Sequence, residues 1–416
     1  MKNRGLTDLF VGISIVLLGS LVAEGQPPER SAAQSDRRPA AAADANMKRW
    51  LSWDSNGDGK LAKSETQGQL KQFFDRNDGN KDGYLQHAEL RALAQRLLKR
   101  NAASRGRSNQ AAVSDEALLK MAPEGVTIVP NLAYREVSDE PGSERWKLDL
   151  AMPTEPGDLA RPAIVFVHGG GWRNGGKRKS NFLRPALEYA SRGYVCVTVN
   201  YRFLEHGPIT NCIADVKCAV RWLRAHADQY NVDPDRIGAY GNSAGAHLAS
   251  MLGLCPKSAG MEGDGPWQDQ SSMVQAVCAS ATPTNWLVPM SDRARQRRQA
   301  SANSNADATA NRPKNDPTML PNGMKIKISP ITYVCADAPP FLMVHEASDP
   351  TVGVYHSDEF VKALKAVGAT DVTYIRYEDG SGHGTFAANQ KETGPAMRKF
   401  FDRVLKLPQE KGFGQQ

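Results

Sequence analysis

The stretch Asp233-Pro234-Asp235-Arg236-Ile237-Gly238-Ala239-Tyr240-Gly241-Asn242-Ser243-Ala244-Gly245 decides how the rest of this chain is read. Arg236 to Tyr240 is a strand candidate, Gly241 to Gly245 is a G-x-S-x-G pentapeptide, and Ala244 to Leu254 reads as a helix. A serine on such a strand-to-helix turn is presented as a nucleophile. Small residues must flank it, because the turn is sharp and a bulky neighbour would clash. A bare G-x-S-x-G is often only a turn, so a second signal is needed. It lies upstream, where His168-Gly169-Gly170-Gly171-Trp172 follows the strand candidate Ala163 to Val167. Its glycines can aim backbone N–H groups at a developing oxyanion. The two motifs in this order, each after a strand, predict a serine hydrolase.

A serine needs a base, and the base needs an orienting carboxylate. Both follow the serine here, each in a loop after a later strand candidate. His345-Glu346-Ala347-Ser348-Asp349-Pro350 follows Pro340 to Val344, and Gly380-Ser381-Gly382-His383-Gly384 follows Val372 to Tyr377. Ser243, Asp349 and His383 are therefore the candidate nucleophile, acid and base. Glu346 is the rival acid. Glu378 and Asp379 precede the histidine too closely to orient it. The other histidines have plainer readings. His168 supports the glycine loop, His247 packs on the helix after Ser243, and His345 shapes the acid loop. His226 lies on a helix surface, and His206 and His356 fall in polar, loop-like contexts.

Further strand candidates are Trp146–Met152, Tyr194–Val199 and Val274–Ala281. Between them run helical stripes, Ile213, Val216, Val220 and Leu223 in one, Phe360, Leu364 and Val367 in another. Strand and helix in alternation predict an α/β fold with a mostly parallel sheet covered on both faces. One stretch breaks the rhythm: Asp292 to Pro317 has no apolar period and reads as a disordered insertion or a lid.

These residues together carry a resemblance. The segment from about Glu124 to Leu407 resembles a carboxylesterase-type α/β hydrolase, similar to the hormone-sensitive-lipase-like and feruloyl or acetyl esterase-like groups. The motifs are HGGGW (168–172), VNYR (199–202), AVRWLRA (219–225), DPDRIGAYGNSAG (233–245), SPITYV (329–334), PPFLMVHEASDP (339–350) and GHG (382–384). The resemblance implies an ester hydrolase with Ser243 as nucleophile, His383 as base and Asp349 as acid. It further implies oxyanion N–H groups from Gly170, Gly171 and Ala244, and no cofactor for catalysis. Glu346 departs from it, standing where relatives often carry glycine. A formamidase shares the H-G-G-x-W loop and triad, so amide cleavage is the alternative reading. A calcium-binding scaffold with an inactive hydrolase domain is the alternative from another class.

A different pattern occupies residues 46–100. Asp54, Asn56 and Asp58 place side-chain oxygens at alternate positions, Lys60 offers its carbonyl, and Glu65 can close the set with two oxygens. Ala62 cannot donate, so a water must fill its position. Gly59 permits the turn, and Leu61 is placed to pair with a neighbouring loop. The frame recurs 24 residues later, with Asp78, Asn80, Asp82, Gly83, Tyr84, Leu85, Gln86 and Glu89 in the same places. Trp50 and Trp53 precede the first loop, Phe73 and Phe74 the second. The tandem frames resemble a paired EF-hand, a small all-α module, and imply structural calcium at both loops.

The remainder bounds the setting. The chain has 416 residues, enough for two or more parts. Residues 1–25 read as a secretory signal, with Lys2 and Arg4 before an apolar stretch, Leu9 to Ala23, too short to span a bilayer comfortably. A secreted or periplasmic protein follows, with no membrane span after cleavage. Residues 26–45 and 101–123 read as linkers, 124–407 as the hydrolase domain and 408–416 as a tail. The formal net charge of +7 is spread out except for Arg293, Arg295, Arg297 and Arg298, so nucleic acid is not the natural partner. The expected partner is a small-molecule or polysaccharide ester. Six cysteines match no zinc pattern. Cys196 and Cys278 read as buried thiols, and a Cys255–Cys278 bridge stays open.

Overall fold

The computed structural model describes residues 47, 50–66, 70, 74–94, 113–136, 143–292, 294–296 and 315–408. The signal sequence, the first linker, residues 101–112, and Arg293, Arg297 and Arg298 lie outside the described residues. So do Phe73, most of the 292–317 stretch and nearly all of the tail. The chain divides into two units, residues 1–110 and 111–416.

In the first unit, β1 (Leu61–Ala62) and β2 (Tyr84–Leu85) form a two-residue antiparallel ladder, with helix α1 (Phe74–Asn77) between them. Leu61 pairs with Leu85, as the sequence spacing expects. Both side chains are fully buried, with Trp50, Leu70, Phe74 and Leu90 around them. Each strand follows a loop folded on its own acidic side chains. Asp54 accepts N–H groups of Gly57 and Gly59, and Glu65 those of Ser55 and Ala62. In the second loop Asp78 accepts from Asp82 and Gly83, and Glu89 from Gly79 and Gln86. Gly59 and Gly83 take φ of +76° and +83°, which a side chain would resist.

The second unit opens where a linker is expected. Ser114 caps helix α2 (Asp115–Leu119), whose Leu118 is fully buried against Val126, Ile128, Leu183 and Leu187. One buried leucine among polar neighbours gives too faint a pattern to distinguish this turn from a tether. The strands then run β3 (Val126–Ala133), β4 (Lys147–Pro153), β5 (Arg161–Val167), β6 (Val195–Val199), β7 (Val232–Asn242), β8 (Ala276–Ser280), β9 (Phe341–Glu346) and β10 (Val372–Tyr377). They form one eight-stranded sheet in the order β10-β9-β8-β7-β5-β6-β4-β3. The ladders from β6 through β10 are parallel, and β4 joins β6 and β3 antiparallel.

The central strands have nearly continuous apolar sequence because both their faces are buried. On β5, Ala163, Val165 and Val167 enter one core, while Ile164 and Phe166 enter the other. Helices α4 (Ile209–Ala225) and α5 (Ala244–Leu254) cover the first face, along with part of α7 (Tyr355–Ala366); α3 (Ser180–Ala190) and α9 (Gln390–Leu405) cover the second. Two further short helices are α6 (Asn322–Lys327) and α8 (Thr385–Ala388).

The structure adds one strand, corrects two readings and closes one left open. The edge strand β3 carries Pro130 and a bulge at Asn131, φ +59°, which break the alternation a strand is recognised by. Val367 caps α7 and is 41% exposed, so the stripe ends at Leu364. His356 lies inside α7 and is buried, because the helix starts before its apolar stripe does. Cys255 and Cys278 belong to cores on opposite faces of the sheet, so the bridge left open does not form, and all six thiols are free.

Candidate active site

Sequence places Ser243 between a strand and a helix, and the backbone bends there as that position demands. Ser243 has φ +56° and ψ −121°, a conformation that side chains resist. It is held from the partner strand, its N–H donating to the Ser280 carbonyl over 2.8 Å. Helix α5 begins at the next residue, and a side chain at Gly245 would collide with the Val167 carbonyl of β5. The glycine is thus required by helix-to-strand approach.

The base arrives on the turn after β10. His383 lies in the turn Gly382–Gly384, with Nε2 2.9 Å from Ser243 Oγ and Nδ1 2.7 Å from Asp349 Oδ2. A carboxylate can only accept, so Nδ1 carries the proton and Nε2 is left to accept from the serine. The Asp349 side chain is fully buried, whereas His383 stays 28% exposed at the mouth of the site. Burial alone would push the Asp349 carboxyl up. Hydrogen bonds from His345 and His383, the charge of His383 and the Thr351 N–H instead hold it well below the usual carboxylate range. The acid therefore stays ionised.

His345 is the second histidine on that carboxylate. Its Nε2 lies 3.2 Å from Asp349 Oδ2 and 3.1 Å from the Val352 carbonyl, both acceptors. The proton therefore sits on Nε2, and Nδ1 accepts from the Ser357 hydroxyl at 2.7 Å. Glu346, the rival acid, makes no such contact. Its carboxylate accepts N–H groups of Ser348, Gly380 and Gly382.

Facing the serine, the motif at 168–172 turns through three consecutive positive φ values: +128° at Gly170, +62° at Gly171 and +57° at Trp172. A side chain on Gly170 would also strike the Asn174 carbonyl. His168 braces the loop. Its Nδ1 lies 2.8 Å from the Gly169 carbonyl, its ring stacks on Tyr201 at 4.4 Å, and the Tyr201 hydroxyl donates to its carbonyl. Burial lowers the His168 pKa to about 4, so the ring is a neutral support. Ala244 is the first residue of α5, so its N–H has no acceptor within the helix. Gly170, Gly171 and Ala244 thus belong to the two backbone segments that meet at Ser243, and a side chain at neighbouring Gly169 would lie 2.7 Å from the Asn242 carbonyl.

His247 packs as the sequence reading expects, but one of its partners, Trp286, escaped that reading. His247, one turn after Ser243, is buried among rings, 5.4 Å from Trp172 and 5.8 Å from Trp286, and those two indoles lie 5.1 Å apart. Trp286 comes from the loop after β8, and no short-range pattern ties it to the elbow.

Comparison with known proteins finds esterases among the similar chains. Residues 148–364 match the BD-FAE family. The chain is 30% identical to the esterase LipC of Mycobacterium tuberculosis over 257 residues, which is 61% of this chain and 60% of that one. It spans about half the length of the curated relatives it matches. Among solved structures, the propionate-bound Est2 esterase of the planctomycete Thermogutta terrifontis is 25% identical, with a TM-score of 0.51 over 71% of this chain and 98% of that one. A truncated carbohydrate esterase from gut microbiota has the same fold, with a TM-score of 0.54, 24% identity, and coverage of 68% of this chain and 99% of that one.

Proposed function

The chain belongs to the BD-FAE family, and we propose on that premise that it is a serine esterase acting on carboxylic esters through an acyl-enzyme. The observation that carries the reading is the pair of hydrogen bonds on His383, 2.7 Å to Asp349 and 2.9 Å to Ser243. Ser243 Oγ attacks the ester carbonyl while His383 Nε2 takes its proton. Asp349 holds the imidazole in the required tautomer and stabilises the imidazolium. N–H groups of Gly170, Gly171 and Ala244 hold the oxyanion. The alcohol leaves with the proton returned by His383, and water then releases the acid by the same steps. The buried Trp172 and Trp286 pack against His247, one turn after Ser243. The propionate-bound Est2 and the carbohydrate esterase neighbour support short-acyl or carbohydrate-linked esters, and the motif resemblance adds acetyl and feruloyl esters to that class.

Residues 46–100 are proposed as a calcium-binding EF-hand pair that stabilises without taking part in catalysis. The support is the donor set: two loops of oxygen ligands only, each with a positive-φ glycine at the same position, joined by the Leu61–Leu85 pair. Asp54, Asn56, Asp58, Glu65 and the Lys60 carbonyl would hold one ion. Asp78, Asn80, Asp82, Glu89 and the Tyr84 carbonyl would hold the other. Among the described residues no cluster of three or more His, Cys, Asp or Glu side chains is gathered as a metal site; the fit rests on mixed carboxylate, amide and carbonyl oxygens. The N-terminal signal supports export to the periplasm or beyond.

Turnover by the wild type and by Ser243→Ala tests the reading. The substrates are acetylated xylan, feruloyl esters, short acyl p-nitrophenyl esters and N-formylkynurenine. Ester turnover should fall by several orders of magnitude in the variant. Turnover confined to N-formylkynurenine would make the protein a formamidase, and unchanged activity in cleanly purified Ser243→Ala would remove the assignment.

A further inference from the structure

Glu346 ends β9 with its side chain buried, 1% exposed. Adjacent strand residues point to opposite faces, and here the two neighbours have different tasks. His345 bonds to Asp349. Glu346 points the other way, and its partners are N–H and O–H groups. Its Oε2 accepts the Ser348 N–H at 2.9 Å, the Ser348 hydroxyl at 2.7 Å and the Gly382 N–H at 3.1 Å, and its Oε1 accepts the Gly380 N–H at 3.3 Å. Ser348 directly precedes the acid Asp349, and Gly382 directly precedes the base His383. One carboxylate thus ties the two loops together one residue from each functional side chain. The base loop needs such a tie. Gly380 and Gly382 have φ of +73° and +65°, and glycine backbone is too permissive to hold one conformation unaided.

We propose that Glu346 is a positioning residue, which sets the separation of Asp349 and His383 by clamping the loop that carries each. This rests on the esterase reading of the site. Glu346 has no hydrogen bond to Ser243 or to the His383 ring, so it acts through the geometry of others. A charge-assisted bond to backbone N–H is among the stronger hydrogen bonds, and a displacement near 1 Å at a catalytic group costs up to about a hundredfold in rate.

The test compares Glu346→Gln and Glu346→Asp with the wild type and Ser243→Ala on a short acyl p-nitrophenyl ester. Glu346→Gln keeps the length but replaces one acceptor oxygen with an N–H₂ donor. Glu346→Asp keeps the charge but loses the reach. Both should lower kcat by roughly ten- to a hundredfold, with KM within about twofold. Wild-type kcat in either variant overturns the proposal. So does a loss confined to KM with kcat unchanged, since that marks substrate binding and not placement of the base. Should Glu346→Gln fail to fold, Glu346→Asp decides alone. Turnover retained by Ser243→Ala would instead defeat the reading of the site itself.

Discussion

Asp349 and Glu346 are buried acids three residues apart, one on the loop after β9 and the other at the end of that strand, and their partners separate their roles. Asp349 faces two histidine nitrogens, Glu346 three backbone N–H groups and a hydroxyl. Asp349→Asn removes the acceptor that fixes the His383 tautomer. It should lower kcat by about four orders of magnitude while leaving the fold intact. Steady-state kinetics of the two variants should rank Asp349→Asn far below Glu346→Gln, and the reverse order would reassign the acid. Ser243, Asp349 and His383 were legible in the sequence because each lies just past a strand, where a fixed chain order places it. The clamp made by Glu346 was not, since the two donors that tie it to the base loop lie more than thirty residues away. Trp286 was hidden for the same reason.

At the scale of elements, the strands buried on both faces were readable from composition alone, and the edge was not. β3 hides behind Pro130 and the Asn131 bulge, and α2 behind a single buried leucine. Helix α4 adds a feature beyond its apolar stripe. Lys217 and Arg221, both essentially unexposed, converge on Glu262, with Lys217 also donating to Ser272 at 2.9 Å and the Cys255 carbonyl at 2.7 Å. Burial pushes the Glu262 carboxyl up, but Lys217, Ser272 and Arg221 hold it below its ordinary range. Glu262→Ala would leave two buried cations without their carboxylate, a loss of about 3–5 kcal/mol. Thermal unfolding of this variant should shift down by roughly 10 °C; a shift of a degree or less would show that water reaches both cations.

For the molecule as a whole, buried histidines govern acid stability. Burial lowers His168, His247 and His356 to about 4 each. Their unfolded value is about 6.5. Between these limits the unfolded chain binds protons that the folded chain refuses, so their stabilisation is complete above about 6.5 and is lost as pH falls. The slope is up to about 1.4 kcal/mol per pH unit for each ring. Asp349 has the same sign at lower pH, its stabilisation being lost below the ordinary carboxylate range. Denaturant midpoints should therefore hold steady from pH 8 to about 6.5 and fall steadily towards 5, and a flat profile would contradict the burial of the three rings. The proposed calcium binding at residues 54–65 and 78–89 predicts a separate response. Chelator should lower the melting transition of residues 46–100 in the full chain by removing a ligand of the folded state. Esterase rate should stay within about twofold, since no transition-state contact is involved. Turnover abolished by chelator and restored by calcium would make the module a regulator. The proposed acyl-enzyme on Ser243 is tested most directly by mixing the protein with p-nitrophenyl acetate, quenching in acid and mapping the modified peptide by mass spectrometry. The account predicts one acetyl group on the peptide containing Ser243 and none in Ser243→Ala; full turnover with that peptide unmodified, or the label on another residue, would contradict it.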